Sequence, residues 1–367
     1  MNIPNTSNLN FKGYDARRLK GFFMCANPGG IIDNMQYIGR KEGFDIYSKV
    51  YRNGEIICDK AIADAIPYKD RVIWSQDVWT FTKDKLLTSQ SKVKSSPIST
   101  HFNLKKVDNQ KHISGGNIFI TNNNGIDELF IGEKELEKVT IPELKEKYNT
   151  EKIHILPQMD YHLDLFIRPL DNKKILVADD NLTLEVLEKG KYNFFEFMSR
   201  KNLKNNPIAQ TILFNFEHII DSFKHEINEN DLPQTNIIAQ KVLKAGYEAI
   251  KVPGRIYQTC LFEEKGKKPQ TFLSHDCNYM NANVLKNKDG DLVYITNKSN
   301  IDKQLMLDSS IVKDFNFSLE KEFAKSIEQY VKPDKVYFID GEDNYVSQTM
   351  LKKMQGGIHC TCSEIPE

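Results

Sequence analysis

Cysteine is scarce in this 367-residue chain: Cys25, Cys58, Cys260, Cys277, Cys360 and Cys362 are scattered along its length. They form no disulfide framework, which points to reduced thiols in a cytosol-like compartment. Net charge is missing too, since 50 Lys+Arg stand against 50 Asp+Glu, and no global field draws the chain to nucleic acid or to an anionic membrane. No stretch approaches the roughly 18 apolar residues of a membrane span. The N-terminal MNIPNTSNLN lacks the basic-then-apolar order of a cleavable signal. These absences lead us to expect a soluble protein, cytoplasmic or exported without a cleavable signal in the manner of an effector, with a small or local partner. They leave its oligomeric state open. No Pro- or Gly/Ser-rich linker divides the sequence, so residues 1–367 are expected to form one domain, long enough to bury a large core.

What is present is a weak repeat: an apolar run, a turn dipeptide, a second apolar run, then a helical pattern. The instances are GNIFITNNNGIDELFIGE at 116–133, LDLFIRPLDNKKILVAD at 163–179 and NANVLKNKDGDLVYITN at 281–297. Asn124-Gly125, Asp171-Asn172 and Asp289-Gly290 supply the positive φ of tight hairpin turns. Further strands are expected at 21–27, 71–77, 152–158 and 335–340, and helices at 236–247 and 318–331. A helix should also follow the second hairpin, with Asp180 or Asn181 as its N-cap. Hairpins imply antiparallel pairs, so the fold class is α/β built from hairpins and helices rather than a doubly wound parallel sheet. Residues 185–230 are helical in pattern, aromatic and out of step with the repeat, which marks them as an inserted helical element suited to covering a site.

Four stretches place catalytic residue types at the ends of apolar runs: WSQD (Trp74–Asp77), SGGN (Ser114–Asn117), HLD (His162–Asp164) and GGIHC (Gly356–Cys360). On a strand, His162 and Asp164 would project to one face, as a usable acid/base pair or as a plain polar stripe. Asp77 could equally be a turn residue and Trp74 a core residue. The tail could carry a nucleophilic thiol, since a cationic neighbour and the flexible Gly356-Gly357 suit one. A metal site at His359, Cys360 and Cys362 would lack its remaining ligands, and a loose terminus with incidental cysteines is the third possibility.

Read in order, WSQD, SGGNIFIT, HLDLF and GGIHC resemble the active-site motifs of the guanidine-modifying, or pentein, superfamily. The nearest likeness is to the peptidylarginine and agmatine deiminases, and NANVL at 281–285 is similar to the family's Asn-bearing module. The matches run from about residue 70 to 362 but cover few residues. The resemblance implies an α/β-propeller of five ββαβ-type modules around a pseudo-fivefold axis, with the helical insertion inside it. It also implies a cysteine-dependent deiminase that converts an arginine-type guanidinium, free or protein-bound, to a ureido (citrulline-type) product and ammonia through a covalent thiouronium. By that likeness Cys360 is the nucleophile, His162 the acid and base, and Asp77 and Asp164 the carboxylates that grip the guanidinium. Trp74, Gly116 and Asn117 would line the substrate, and no metal or organic cofactor is implied. Arg71 and Arg168 are candidate anchors for a substrate carboxylate, while Cys362 is expected two residues along the same strand as Cys360. Amidinotransfer by the same nucleophile and a non-catalytic binding module are the alternatives. The chain has no room for the immunoglobulin-like domains of the vertebrate peptidylarginine deiminases, so calcium dependence is not expected. The tryptophan-rich N-terminus of the agmatine enzymes has no counterpart before Trp74.

Overall fold

The computed structural model describes residues 17–24, 28–48, 74–81, 85–88, 99–100, 102–108, 113–123, 126–158, 161–171, 173–229, 234–262, 270–354 and 356–366. Its strands are β1 (Arg17–Met24), β2 (Asp45–Ser48), β3 (Trp79–Phe81), β4 (Lys85–Thr88), β5 (Lys105–Asp108), β6 (Ile118–Asn123), β7 (Ile126–Gly132) and β8 (Lys152–Leu156). They continue as β9 (Ile167–Pro169), β10 (Lys174–Ala178), β11 (Glu248–Val252), β12 (Arg255–Phe262), β13 (Gln270–Asn278), β14 (Asn283–Lys286), β15 (Leu292–Asn297), β16 (Val336–Ile339) and β17 (Ser363–Pro366).

The pairing repeats one motif five times: a strand, an antiparallel neighbour, and a third strand parallel to the second. The triples are β3-β4-β5, β6-β7-β8, β9-β10-β11, β14-β15-β16 and β17-β1-β2. Two antiparallel strands can be joined by a tight turn, whereas a parallel partner needs a crossover, and helices supply it. Ile31–Glu42 joins β1 to β2, Ile141–Tyr148 joins β7 to β8, and Leu319–Ser326 lies between β15 and β16. The fifth triple takes its first strand from one end of the sequence and its other two from the opposite end. A short parallel bridge, Arg17 to Leu285 and Arg18 to Lys286, joins it to the fourth. The β12-β13 hairpin stands outside the pattern.

The three expected hairpins are β6-β7, β9-β10 and β14-β15. Gly290 takes positive φ (84°) in the last; in the second Lys173 does so (62°), while Asn172, like Asn124-Gly125, lies outside the described residues. The helical element at 185–230 is two helices, Asp180–Arg200 and Pro207–Glu229, and with Gln234–Lys244 they fill the crossover between β10 and β11. The first starts earlier than expected because Asp179, not Asp180 or Asn181, is its N-cap, accepting from Leu182 N at 3.0 Å. Leu187, Phe194 and Phe197 on the first helix and Ile212, Phe216 and Phe223 on the second recur at helical spacing and are buried in one core cluster. Burying an aromatic or aliphatic side chain of this kind contributes about 1.5–3 kcal/mol. The pair is fastened to β12 by Asp180, freed from capping, which accepts from the buried Arg255 Nε at 3.1 Å.

Three strand expectations fail, the first at His162 and Asp164, where Leu163–Leu165 is a short helical turn. Within 71–77 the described part forms a helical turn, Ser75–Val78, and residues 71–73, with Arg71, lie outside the described residues. The tail is not extended at Cys360 either: Ile358–Thr361 is a helical turn that precedes β17.

One carboxyl in this fold makes stability depend on pH. Glu320 is pushed up to about 7, by burial first and by the neighbouring Asp302 next. A carboxyl with a raised folded-state value favours the fold when protonated, and that contribution is lost as pH rises through about 7. Glu320→Gln should therefore stabilise the protein at pH 8 by on the order of 1–3 kcal/mol, with the gain vanishing below about pH 4.5, a difference that denaturant melts at the two pH values will read.

Candidate active site

Each of the five strand triples contributes polar residues from the turn just before its first strand. Asp77 lies in the helical turn leading to β3, Ser114–Asn117 in the turn before β6, and His162 and Asp164 before β9. Asn281 precedes β14, and His359 and Cys360 precede β17. The topology thus gathers residues that are distant in sequence.

Cys360 is 2% exposed, and its Sγ accepts a hydrogen bond from Asn281 Nδ2 at 3.1 Å. The thiol also points at Asp164 Oδ2, 3.4 Å away. Asn281 Oδ1 in turn accepts from His359 N at 3.0 Å, so one carboxamide holds both the nucleophile candidate and its turn. Burial first, then the charges of Asp164 and Asp77, push the Cys360 thiol well above its ordinary value. These influences favour the thiol over the thiolate at Cys360.

His162 stands between the two carboxylates. Its Nε2 is 3.8 Å from Asp77 Oδ1 and its Nδ1 is 3.8 Å from Asp164 Oδ1. Ser114 Oγ donates to Asp77 Oδ1 at 2.6 Å and also contacts His162 Nε2. Because a hydroxyl has one proton, Ser114 accepts from His162 Nε2–H when it donates to Asp77. Asp77 Oδ1 receives a second donor from Gly115 N at 3.1 Å. Asp164 is fully buried. Burial alone would raise its carboxyl, but the hydrogen bond from His359 and the charges of His162 and Arg168 outweigh it and hold the group below its ordinary value. Its Oδ1 and His162 Nδ1 are both buried and have no hydrogen-bond partner. Such orphaned atoms are costly, and here they mark the face where a ligand with N–H donors would be accepted.

His359 links the site to its support. Its Nδ1 is 2.8 Å from Asp164 Oδ2, while Gln76 Nε2 and Arg168 Nη1 each lie 3.0 Å from its Nε2. Two donors at Nε2 require an acceptor there, which assigns the proton to Nδ1 and leaves the ring neutral. Burial first, and Arg168 next, depress its value to about 4, in keeping with that state.

The other expected site residues face the protein. A Cβ on Gly116 would come within 2.4 Å of His162 Nδ1, so glycine there makes room for the imidazole. Asn117 is buried with its carboxamide engaged: Nδ2 donates to Glu135 Oε1 at 2.7 Å and to Tyr161 O at 3.1 Å, and Oδ1 accepts from Leu163 N at 2.9 Å. It shapes the turn that presents His162 and Asp164. Trp74 is half-buried against Gly356, whose Cβ would meet the indole at 2.6 Å. Arg168 is buried and bonded to His359, so it is no anchor for a substrate carboxylate. Nor is Cys362 a neighbour on the Cys360 face, because the helical turn swings it into the apolar cluster of Phe22, Met24 and Ile358. Gln76, Ser114, Asn281 and His359 carry contacts that motif reading left without a role. Their common signal is position just before the first strand of a triple.

Ligand atoms of His162, Asp164 and Cys360 lie within 4.8 Å of one another, a nitrogen, oxygen and sulfur set that could hold a zinc-like ion. The exposed Tyr161, its ring 4.4 Å from that of His162, marks the mouth. No helix among the described residues is long and apolar enough to cross a membrane.

No family model matches the chain, and no curated protein sequence does. Among solved structures it is similar to C. jejuni agmatine deiminase, at 11% identity and a TM-score of 0.49, over 97% of this chain and 96% of that one. A cysteine-to-serine variant of that enzyme with substrate bound gives 13% identity and a TM-score of 0.46, over 96% and 94%. A cysteine-to-serine mutant of DDAH from Pseudomonas aeruginosa, complexed with citrulline, gives 12% and 0.28, over 64% and 92%. Agmatine deiminases are among the proteins that the motif order resembles.

The state of Cys360 is open to test. Alkylation by iodoacetamide, followed by mass spectrometry at Cys360, should be slow at pH 7 and rise about tenfold per pH unit up to pH 9, because only the thiolate reacts. A plateau below pH 8 would mean that the thiolate already exists in the free protein.

Proposed function

We propose that the protein is a cysteine-dependent hydrolase of an arginine-type guanidinium, releasing ammonia and leaving a ureido product, with its five strand triples circling the site as a pentein propeller. The observation that carries this reading is the buried, unpartnered Asp164 Oδ1 beside the Cys360 thiol and His162. An anionic acceptor with no donor, deep in a site that also holds a second carboxylate, favours a planar cation rich in N–H groups.

In the proposed reaction Asp164 and Asp77 grip the guanidinium N–H groups and fix its central carbon near Sγ. The bound positive charge opposes the terms that suppress thiol ionisation, so substrate binding and activation of Cys360 occur together. His162 takes the thiol proton, and the resulting thiolate attacks the central carbon. His162 then gives that proton to the departing nitrogen, the C–N bond breaks, and ammonia leaves an S-alkyl thiouronium. Water gives one proton to His162 and adds to the same carbon as hydroxide; the C–S bond then breaks as the hydroxyl proton passes to sulfur, restoring the Cys360 thiol and forming the ureido C=O, and His162 releases its proton to ammonia or solvent. Asn281 Nδ2 donates to sulfur as it gains and regains charge.

Agmatine, arginine and an arginine-containing protein, each incubated with purified protein and assayed for ureido product and ammonia, provide the test. Turnover of at least one is expected, with Cys360→Ala reducing it by more than about 10³-fold. Undiminished turnover in that variant would remove the mechanism. Loss of the guanidine without ammonia, and only with an amine acceptor present, would favour amidinotransfer.

No step of this chemistry runs through a metal. A chelator should leave turnover unchanged, and micromolar zinc should inhibit by ligating Cys360 and His162, the reverse of what a resident catalytic ion would give.

A further inference from the structure

We propose that Arg168 and His359 form a positioning pair that turns the Asp164 carboxylate so that Oδ2 is held by the protein and Oδ1 is left for the cationic substrate. The inference rests on the guanidinium reading above and adds residues to it that do not touch substrate.

A carboxylate pinned at one oxygen and open at the other presents its charge in a single direction. Here the pin is His359 Nδ1–H on Oδ2, at 2.8 Å. A neutral imidazole donates there only with its other nitrogen unprotonated, and Arg168 Nη1 and Gln76 Nε2, each 3.0 Å from Nε2, donate to that nitrogen. Ring rotation is blocked as well. Phe119 stacks on His359 with centroids 5.9 Å apart and planes 22° apart, and the Arg168 guanidinium lies 5.1 Å from the centre of the same phenyl ring. The clamp spans two strand triples, because Arg168 is on β9, in the element that follows the Asp164 turn, whereas His359 precedes β17.

The neutrality of the donor matters. A lysine or an imidazolium at this place would also hold Oδ2, but it would cancel the charge that the substrate cation needs and would repel that cation. Arg168, whose guanidinium keeps its proton, forces a neutral ring to face Asp164 while its own charge stays behind the imidazole.

Three measurements test the pair. Nitrogen-correlated NMR of histidine-labelled protein at neutral pH should find His359 as the Nδ1–H tautomer, and Arg168→Lys should weaken that preference, since one flexible donor replaces a fixed fork. An Nε2–H tautomer in the unaltered protein would overturn the proposal whether or not any guanidine is turned over. His359→Leu should raise KM for the guanidine substrate by about 10–100-fold, the loss expected when a charge-assisted hydrogen bond no longer orients a binding carboxylate. His359→Asn, whose amide nitrogen can occupy the Nδ1 place, should recover most of that loss. A merely structural role predicts no such rescue in KM, so equal KM in the Leu and Asn variants, or an unchanged KM in the Leu variant, would refute the pair. If His359→Leu fails to fold, the Asn variant and the tautomer still decide. Absence of turnover in the unaltered protein would count against the guanidinium reading, with the tautomer reporting separately on the geometry.

Discussion

The pairing of β17 with β1 is the constraint on which the rest depends. Leu19, Gly21, Phe22 and Phe23 face Pro366, Ile365, Glu364 and Ser363, while β1 also carries β2 on its other side. Strands from opposite ends of the sequence thereby complete a triple equivalent to the other four. Closing so long a loop is entropically unfavourable, though the penalty grows only logarithmically with length. Burial of Phe22, Phe23 and Ile365 offsets it. Cys360 lies three residues before β17, so the same pairing that joins the two ends of the described chain sets the thiol near Asn281 and Asp164.

The site sets two carboxylates beside a buried thiol. Burial first, then Asp164 and Asp77, suppress ionisation of the Cys360 thiol, and the buried Arg168 is directed into His359. In a medium of low effective dielectric such an arrangement costs stability. That cost is tolerated where a ligand relieves it, which is the usual relation between strained electrostatics and function.

Local patterns made the hairpins legible. Turn dipeptides between apolar runs located β6-β7, β9-β10 and β14-β15, and helical spacing located the two helices in the β10–β11 crossover. The reading of site turns as strands failed for a physical reason: Trp74–Asp77, Leu163–Leu165 and Ile358–Thr361 are short segments in which backbone geometry follows side-chain anchoring, not periodicity. Asn297 Oδ1, for example, accepts from Ile358 N at 2.8 Å and helps to hold the tail turn. Nothing adjacent to Ile358 in sequence announces that bond. Arg168 is the clearest case. In the sequence it is a candidate anchor for a substrate carboxylate, and only burial against His359 and Phe119 gives it another place.

The sequence by itself determined the residue types and their order: two aspartates, a histidine and a cysteine at the ends of apolar runs, together with the hairpin rhythm that spaces them. These properties are local, written in turn chemistry and in side-chain volume and polarity. Tertiary structure decided which atoms meet. It left Asp164 Oδ1 open and Oδ2 held, gave His359 its tautomer through Arg168, and placed Cys360 within a helical turn and Cys362 just past its end. Hydrogen-bond direction and burial depend on neighbours drawn from several triples at once, and those neighbours exist only after the chain has closed.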